Sequence, residues 1–234
     1  MKLEDLVTRA EIETRRSPQD FVNWFEGLLS RIQSHQDELL KHQVLTHGGI
    51  AKQIYEEVFP LYRLLQEKGS QWASVRVRNV LGNQAGDVEV AEASPHIPSK
   101  LEITYVVNGK DHMLRMAHLA EHGWVSMSGR LESQKERGMR TMRVEAEFRE
   151  VGEVVNEVIE RLRERIKDKL TKHYGLGTGL IVYVEDDGTL QHSDAHWRRV
   201  IAATQEFLPQ LKQLFLAAYL VLASNGKVIE LDLM

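Results

Sequence analysis

The sequence predicts an α/β protein, a mixed sheet flanked by helices and preceded by an N-terminal helical extension. Three observations carry that expectation. Before residue 71, apolar residues recur only at helical spacing. From Trp72 to about residue 107 they alternate in three short runs separated by turns. Beyond Val151, amphipathic and apolar stretches follow in the order helix, strand, helix, strand.

Leu3 to Thr14 reads as a short amphipathic helix. Ser17-Pro18 starts a longer one, with Phe21, Trp24, Phe25, Leu28, Leu29 and Ile32 on one face, extended by Leu39 and Leu40. On that reading His35 and His42 share an exposed face. Thr46-His47-Gly48-Gly49 breaks the pattern. A third helix runs from Ile50 to Lys68-Gly69, with Pro60 imposing a kink or break. Residues 1–49 form the extension and 50–234 the α/β domain.

The strands of a meander follow. Val75 and Val77 alternate with Arg76 and Arg78, residues 82–86 turn, Asp87-Val88-Glu89-Val90 returns, and Lys100 to Thr104 runs back after a loop holding Pro95 and Pro98. Residues 110–122 suit a short helix. Gly123 to Arg140 reads as a loop or irregular hairpin, and Thr141 to Phe148 as an edge strand. Val151 to Lys172 is a long helix with a Val/Ile/Leu stripe. A strand at Leu180–Val184, a helix over about 194–213 and a strand at Leu216–Ala223 make a parallel crossover, and Gly226 to Leu233 closes a terminal hairpin.

Composition narrows the function. With 42% hydrophobic and 27% charged residues the chain has the balance of a globular protein. No apolar run approaches the roughly 18 residues that span a bilayer, and Met1-Lys2-Leu3-Glu4-Asp5 does not open a signal peptide. The absence of cysteine excludes disulfides and thiolate metal sites and agrees with a cytoplasmic setting. A formal net charge of −4 means that contact with nucleic acid has to run through a local basic patch.

The chemistry concentrates on two strands. Strand alternation puts Lys100, Glu102 and Thr104 on one face. Asp87 opens the preceding strand, and acids on neighbouring strands can share a hard cation such as Mg²⁺ or Mn²⁺, an engine for cutting phosphodiesters.

Element order and residues together resemble the PD-(D/E)xK nuclease superfamily, of restriction-endonuclease-like fold, over about residues 50–234. The resemblance implies that Asp87 and Glu102 are the two metal-binding acids. It implies that Glu56 or Glu57 supplies a further acid from the preceding helix. Thr104 stands where the family has lysine, and Ala85-Gly86 replaces its proline-bearing lead-in to Asp87. Lys100, two residues before Glu102 on the same face, is the candidate for a migrated lysine, with Thr104 offering only a hydroxyl. Two functions follow: a metal-dependent nuclease, or an inactive module of the same fold that serves interaction or assembly through its N-terminal helices.

Other constellations have plainer readings. His118-Leu119-Ala120-Glu121-His122 has the order of inverted zinc-peptidase motifs, but Gly123 ends the helix at once, which suits a solvated helix end. Gly175 to Gly179 precedes a strand, the wrong order for a phosphate loop, and suits a helix C-cap. Asp186-Asp187-Gly188 is a turn signal. Arg161, Arg163, Arg165, Lys167 and Lys169, interleaved with acids, read as a solvated helix face. Residues 130–143 hold five basic and two acidic residues and are the candidate nucleic-acid contact. The sequence does not specify the oligomeric state.

Overall fold

The computed structural model describes residues 1–234 except 36, 83–85, 108, 124–129, 137–138, 146–149, 186–192, 224–225 and 234. It gives only the backbone of 109–111, 113 and 130–145. Among the described residues the helices are α1 (Arg9–Ile12), α2 (Pro18–Ser34), α3 (Glu38–Leu45), α4 (Ile50–Gln53), α5 (Phe59–Lys68), α6 (Gly109–His122), α7 (Val151–Leu170), α8 (Asp194–Gln205) and α9 (Leu208–Leu214). The strands are β1 (Arg76–Asn79), β2 (Val88–Ala91), β3 (Lys100–Val106), β4 (Arg130–Glu136), β5 (Met139–Glu145), β6 (Thr178–Val184), β7 (Ala217–Leu222) and β8 (Val228–Leu231).

Six strands form one mixed sheet in the order β1-β2-β3-β6-β7-β8. β1, β2 and β3 are antiparallel neighbours, β3-β6-β7 run parallel, and β8 returns antiparallel to β7. The meander, the parallel crossover and the terminal hairpin read from the sequence are therefore present. β6 and β7 are buried along their whole length, as central parallel strands covered on both faces must be.

The period of two sorts strand residues into two cores. Leu101, Ile103, Ile181, Tyr183, Tyr219 and Val221 face a layer built from α2, α5 and the N-terminal segment. Val106, Leu180, Val182, Val184, Leu220 and Leu222 face α7, α8 and α9. The first layer corrects the idea of an extension. Leu3, Val7, Ile12, Phe21, Phe25, Leu28 and Leu40 are buried in the same cluster as Val77 and Leu101. Backbone bonds between Arg16 and Val77, at 2.8 and 2.9 Å, also cap the outer edge of β1.

Several local expectations change. Leu3 to Thr14 is a single helical turn followed by the four-residue α1, not one helix. His35 caps the end of α2 and His42 lies in α3, so the two share no helix face. The segment from Ile50 to Lys68 is interrupted by a π turn at Ile54–Val58, in which the Phe59 N–H reaches back to the Ile54 carbonyl. Pro60 explains it: its nitrogen has no proton for the Glu56 carbonyl, and its ring crowds the turn before it, so the ladder widens there. Pro209 likewise divides the expected 194–213 helix into α8 and α9. Of the loop and hairpin readings of 123–140, the described residues take the hairpin, and the strand expected from Thr141 pairs within it and not at an edge of the main sheet. β4 and β5 pair with each other, from Arg130↔Glu145 to Glu136↔Met139, as a separate two-stranded sheet.

Candidate active site

β2 pairs with β3 only at Val88↔Leu101 and Glu89↔Lys100. One step further the ladder changes hands. The Asp87 N–H still donates to the Leu101 carbonyl at 2.9 Å, but the Ile103 N–H donates to the Asp87 carboxylate, at 2.6 Å. The two strands part at Asp87, and the carboxylate takes the hydrogen bond that the backbone gives up. Continuing the register puts Asp87 opposite Glu102, so the two acids meet where the sheet opens.

Glu102 is 8% exposed and Thr104 4%, on the β3 face that meets α7. The partner of Glu102 is Lys169 of α7, whose ammonium lies 2.6 Å from Oε1; the Tyr174 hydroxyl donates to the same oxygen at 3.4 Å. Lys100 is exposed at the start of β3, its stem packed beside Gly86. It makes no ion pair with Glu102 among the described residues. The cation beside the second acid thus comes from the helix and not from the strand.

The π turn brings two more acids. Burial, then the neighbouring charges of Asp87 and Glu56, push the Glu57 carboxyl up to about 7, against the pull of Lys52 and Arg9. Burial and the Glu102 charge push Asp87 up to about 6, opposed by the Ile103 N–H, Lys169 and Lys172. Burial also raises Glu56, with Lys52 and Arg165 pulling the other way. Glu57 thus feels the charge of Asp87, and Asp87 that of Glu102. Glu57 Oε2 is buried without a hydrogen-bond partner among the described residues.

Beside the acids opens a cleft of about 600 Å³. Arg165, Asp168, Lys169 and Lys172 line one wall. Arg165, Asp168 and Lys169 come from the last turns of α7 and Lys172 from just beyond its end. Lys52 and Glu56 come from the opposite helical layer, Ile103 and Thr104 from β3, and His47, Tyr105 and His112 from one end. The arginine–lysine run is thus divided. Arg161 pairs with Glu157, and Arg163 with Glu160 and Glu206, as a solvated face would. Arg165 and Lys169 turn into the cleft instead.

A divalent cation suits this donor set. All the donors are carboxylate oxygens, the hard ligands Mg²⁺ prefers. Burial and the neighbouring carboxylates raise Asp87 and Glu57, and a positive charge placed beside them would lower both. Among the described residues no group of three or more histidines, aspartates and glutamates is assembled to hold a metal. Mg²⁺ commonly takes only one or two carboxylates and completes its shell with water and substrate phosphate.

The other motifs fare as follows. His118 is buried and His122 exposed, with their rings 4.3 Å apart. His122 contacts Glu121 at 3.7 Å, so only half of that motif is a solvated helix end. Gly175 is not a helix cap, because α7 ends at Thr171. Gly179 instead allows Pro98 to pack against β6. Residues 186–188 lie outside the described residues, and the side chains of 130–143 do too. No helix among the described residues is long and apolar enough to cross a membrane.

Sequence reasoning named Asp87, Glu102 and the Glu56/Glu57 pair, and the structure brings their charges together. It missed Lys169. The signal was available as the i, i+4, i+7 spacing of Arg165, Lys169 and Lys172, but the interleaved acids made the run resemble a surface. Comparison of the chain with protein-family models, with curated proteins and with solved structures finds no match.

Proposed function

We propose that this protein is a metal-dependent nuclease that hydrolyses phosphodiester bonds at the opening between β2 and β3. The observation that carries this reading is the opening of the β2–β3 ladder at Asp87, opposite a Glu102 that is paired with the Lys169 ammonium, beside a cleft lined by Arg165, Lys169 and Lys172. Asp87 and Glu102 would hold the cation, Mg²⁺ or Mn²⁺, with water and substrate phosphate completing its shell. When bound, such a cation supplies Lewis acidity toward the phosphate and lowers the pKa of a bound water.

The chain's own residues do the rest. Lys169, fixed by Glu102, presents a charged donor where negative charge builds on the phosphate during attack. This is the role that the resemblance assigns to a lysine two residues after Glu102, where Thr104 stands. Thr104 lines the same wall and offers its hydroxyl to water or phosphate. Arg165 and Lys172 neutralise the flanking backbone and hold the strand in place. Burial of Glu102 keeps the Lys169 pair in a medium of low dielectric, where each charge counts for more.

The test is cleavage of labelled DNA and RNA with Mg²⁺ or Mn²⁺, with EDTA and with Glu102→Gln as controls. Cation-dependent cleavage that Glu102→Gln abolishes, together with a cation-dependent rise in Tm, is the expected result. Neither cleavage nor any effect of cation on Tm would leave an inactive nuclease-fold module that works through interaction.

A further inference from the structure

The basic wall of the cleft ends at a cluster of rings that the phosphodiester chemistry does not use. His47 stacks on Tyr55 with centroids 4.3 Å apart and planes 12° from parallel. His112 lies 5.0 Å from His47. Tyr105 stacks on Tyr183 at 5.4 Å. The rings are fixed from behind: the Tyr105 hydroxyl donates to Glu185, and His112 Nδ1 lies 3.9 Å from the same carboxylate. His47 itself is held in a left-handed backbone conformation, φ 50°, just before the Gly48-Gly49 turn. Three of these rings, His47, Tyr105 and His112, line the cleft together with Lys52, Arg165, Lys169 and Lys172.

Cations along a groove and aromatic faces at its side are how proteins hold an unpaired strand. The cations follow the phosphates, and bases stack on the rings whatever their sequence. A duplex buries its base faces and has none to offer. The volume points the same way, since about 600 Å³ lies within the range of small-ligand clefts. That is room for a nucleotide or two and not for a double helix. Burial, His112 and Lys52 hold the His47 imidazole down to about 4, so it meets a base as a neutral ring at neutral pH.

We infer that the cleft takes a single-stranded nucleic acid, with a base against the His47–Tyr105–His112 rings and its phosphates along Arg165 and Lys169 of α7 and Lys172 just beyond it. This names the substrate class of the proposed nuclease and rests on that reading for the scissile bond, though not for binding. The test is therefore binding in EDTA, where no metal-dependent cleavage can occur. Fluorescence anisotropy would compare a labelled oligothymidylate with a blunt duplex of equal length.

The single strand is expected to bind at least about tenfold more tightly. His47→Asn keeps a residue that tolerates positive φ and removes the ring; it should weaken binding by about tenfold, and His47→Phe should restore it. Arg165→Gln and Lys172→Gln should each flatten the salt dependence by about 0.7 in the log–log slope. Circular dichroism establishes that each variant is folded. Equal or tighter binding of the duplex, or folded His47→Asn and His47→Phe variants that both bind like the parent, would overturn the inference. Tight single-strand binding without any cleavage in Mg²⁺ or Mn²⁺ would instead refute the nuclease reading and leave the strand site standing.

Discussion

Around neutral pH, Asp87 and Glu57 sit within their own titrations, at about 6 and about 7. Unfolded carboxyls titrate near 4. Between those values these two groups hold more protons in the folded protein than in the unfolded chain, so without metal their contribution to stability falls as pH rises from about 4 to about 7. Asp87→Asn keeps an oxygen for the Ile103 N–H and removes the charge. In EDTA it should be more stable than the parent at pH 8 by about 1–3 kcal/mol, with the difference gone at pH 4, as read by urea denaturation. Mg²⁺ or Mn²⁺ should raise the parent's Tm at pH 8 and leave that of Asp87→Asn nearly unmoved. Lys169 separates the two candidate lysines. Lys169→Met strands the buried Glu102 charge and should cost about 1–3 kcal/mol, and it should lower any turnover by about 10²-fold or more. Lys100→Ala should change stability by less than about 0.5 kcal/mol and leave the rate unaltered.

Single elements place the acids and the cations of the cleft. The π turn widens one helix by one residue, and Glu56 and Glu57, adjacent in sequence, then serve different neighbours. Glu56 lines the cleft, 3.9 Å from Lys52, while Glu57 couples to Asp87. α7 supports the rear core with Val155, Leu162 and Ile166 and turns Arg165 and Lys169 to the cleft, where Lys172 joins them just past its end. The register of β3 against β6 depends on close approach at Gly179, where an added Cβ would lie 2.6 Å from the Pro98 ring. Gly179→Ala should therefore destabilise the protein by about 1–3 kcal/mol, visible as a lower midpoint in urea. Gly152, where an added Cβ would meet only open space, should accept alanine without such a loss.

For the molecule as a whole, the N-terminal layer is the consequential finding. Phe21, Phe25 and Leu28 are fully buried in the cluster that covers the front of the sheet, and the π turn that carries Glu56 and Glu57 is part of the same layer. A chain beginning at residue 50 would expose that face and should lose cooperative unfolding. Phe25→Ala in the full chain should cost about 3–5 kcal/mol. Calorimetry of the full and shortened chains tests both. The overall charge of −4 conceals the basic cleft, so binding of nucleic acid should be strongest at low salt despite the acidic total.

The sequence by itself determined the succession of helices and strands, because a period of 3.6 or 2 is a property of neighbours along the chain. It also determined the face on which Glu102 and Thr104 lie and marked Asp87 at the start of the neighbouring strand, while the Glu56/Glu57 pair was named only through the family resemblance. Only the tertiary structure decided which cation serves Glu102. Lys100 is two residues away in sequence and Lys169 is 67, yet the helix packed over β3 brings the second to 2.6 Å. Local periodicity contains no information about which helix crosses which strand. The same reason separates the two halves of the α7 charge run, joins residues 1–49 to the core and gathers His47, Tyr105 and His112 at one end of a cleft. Each is a contact between distant segments, set by how the layers bury their apolar faces and not by any pattern within one of them.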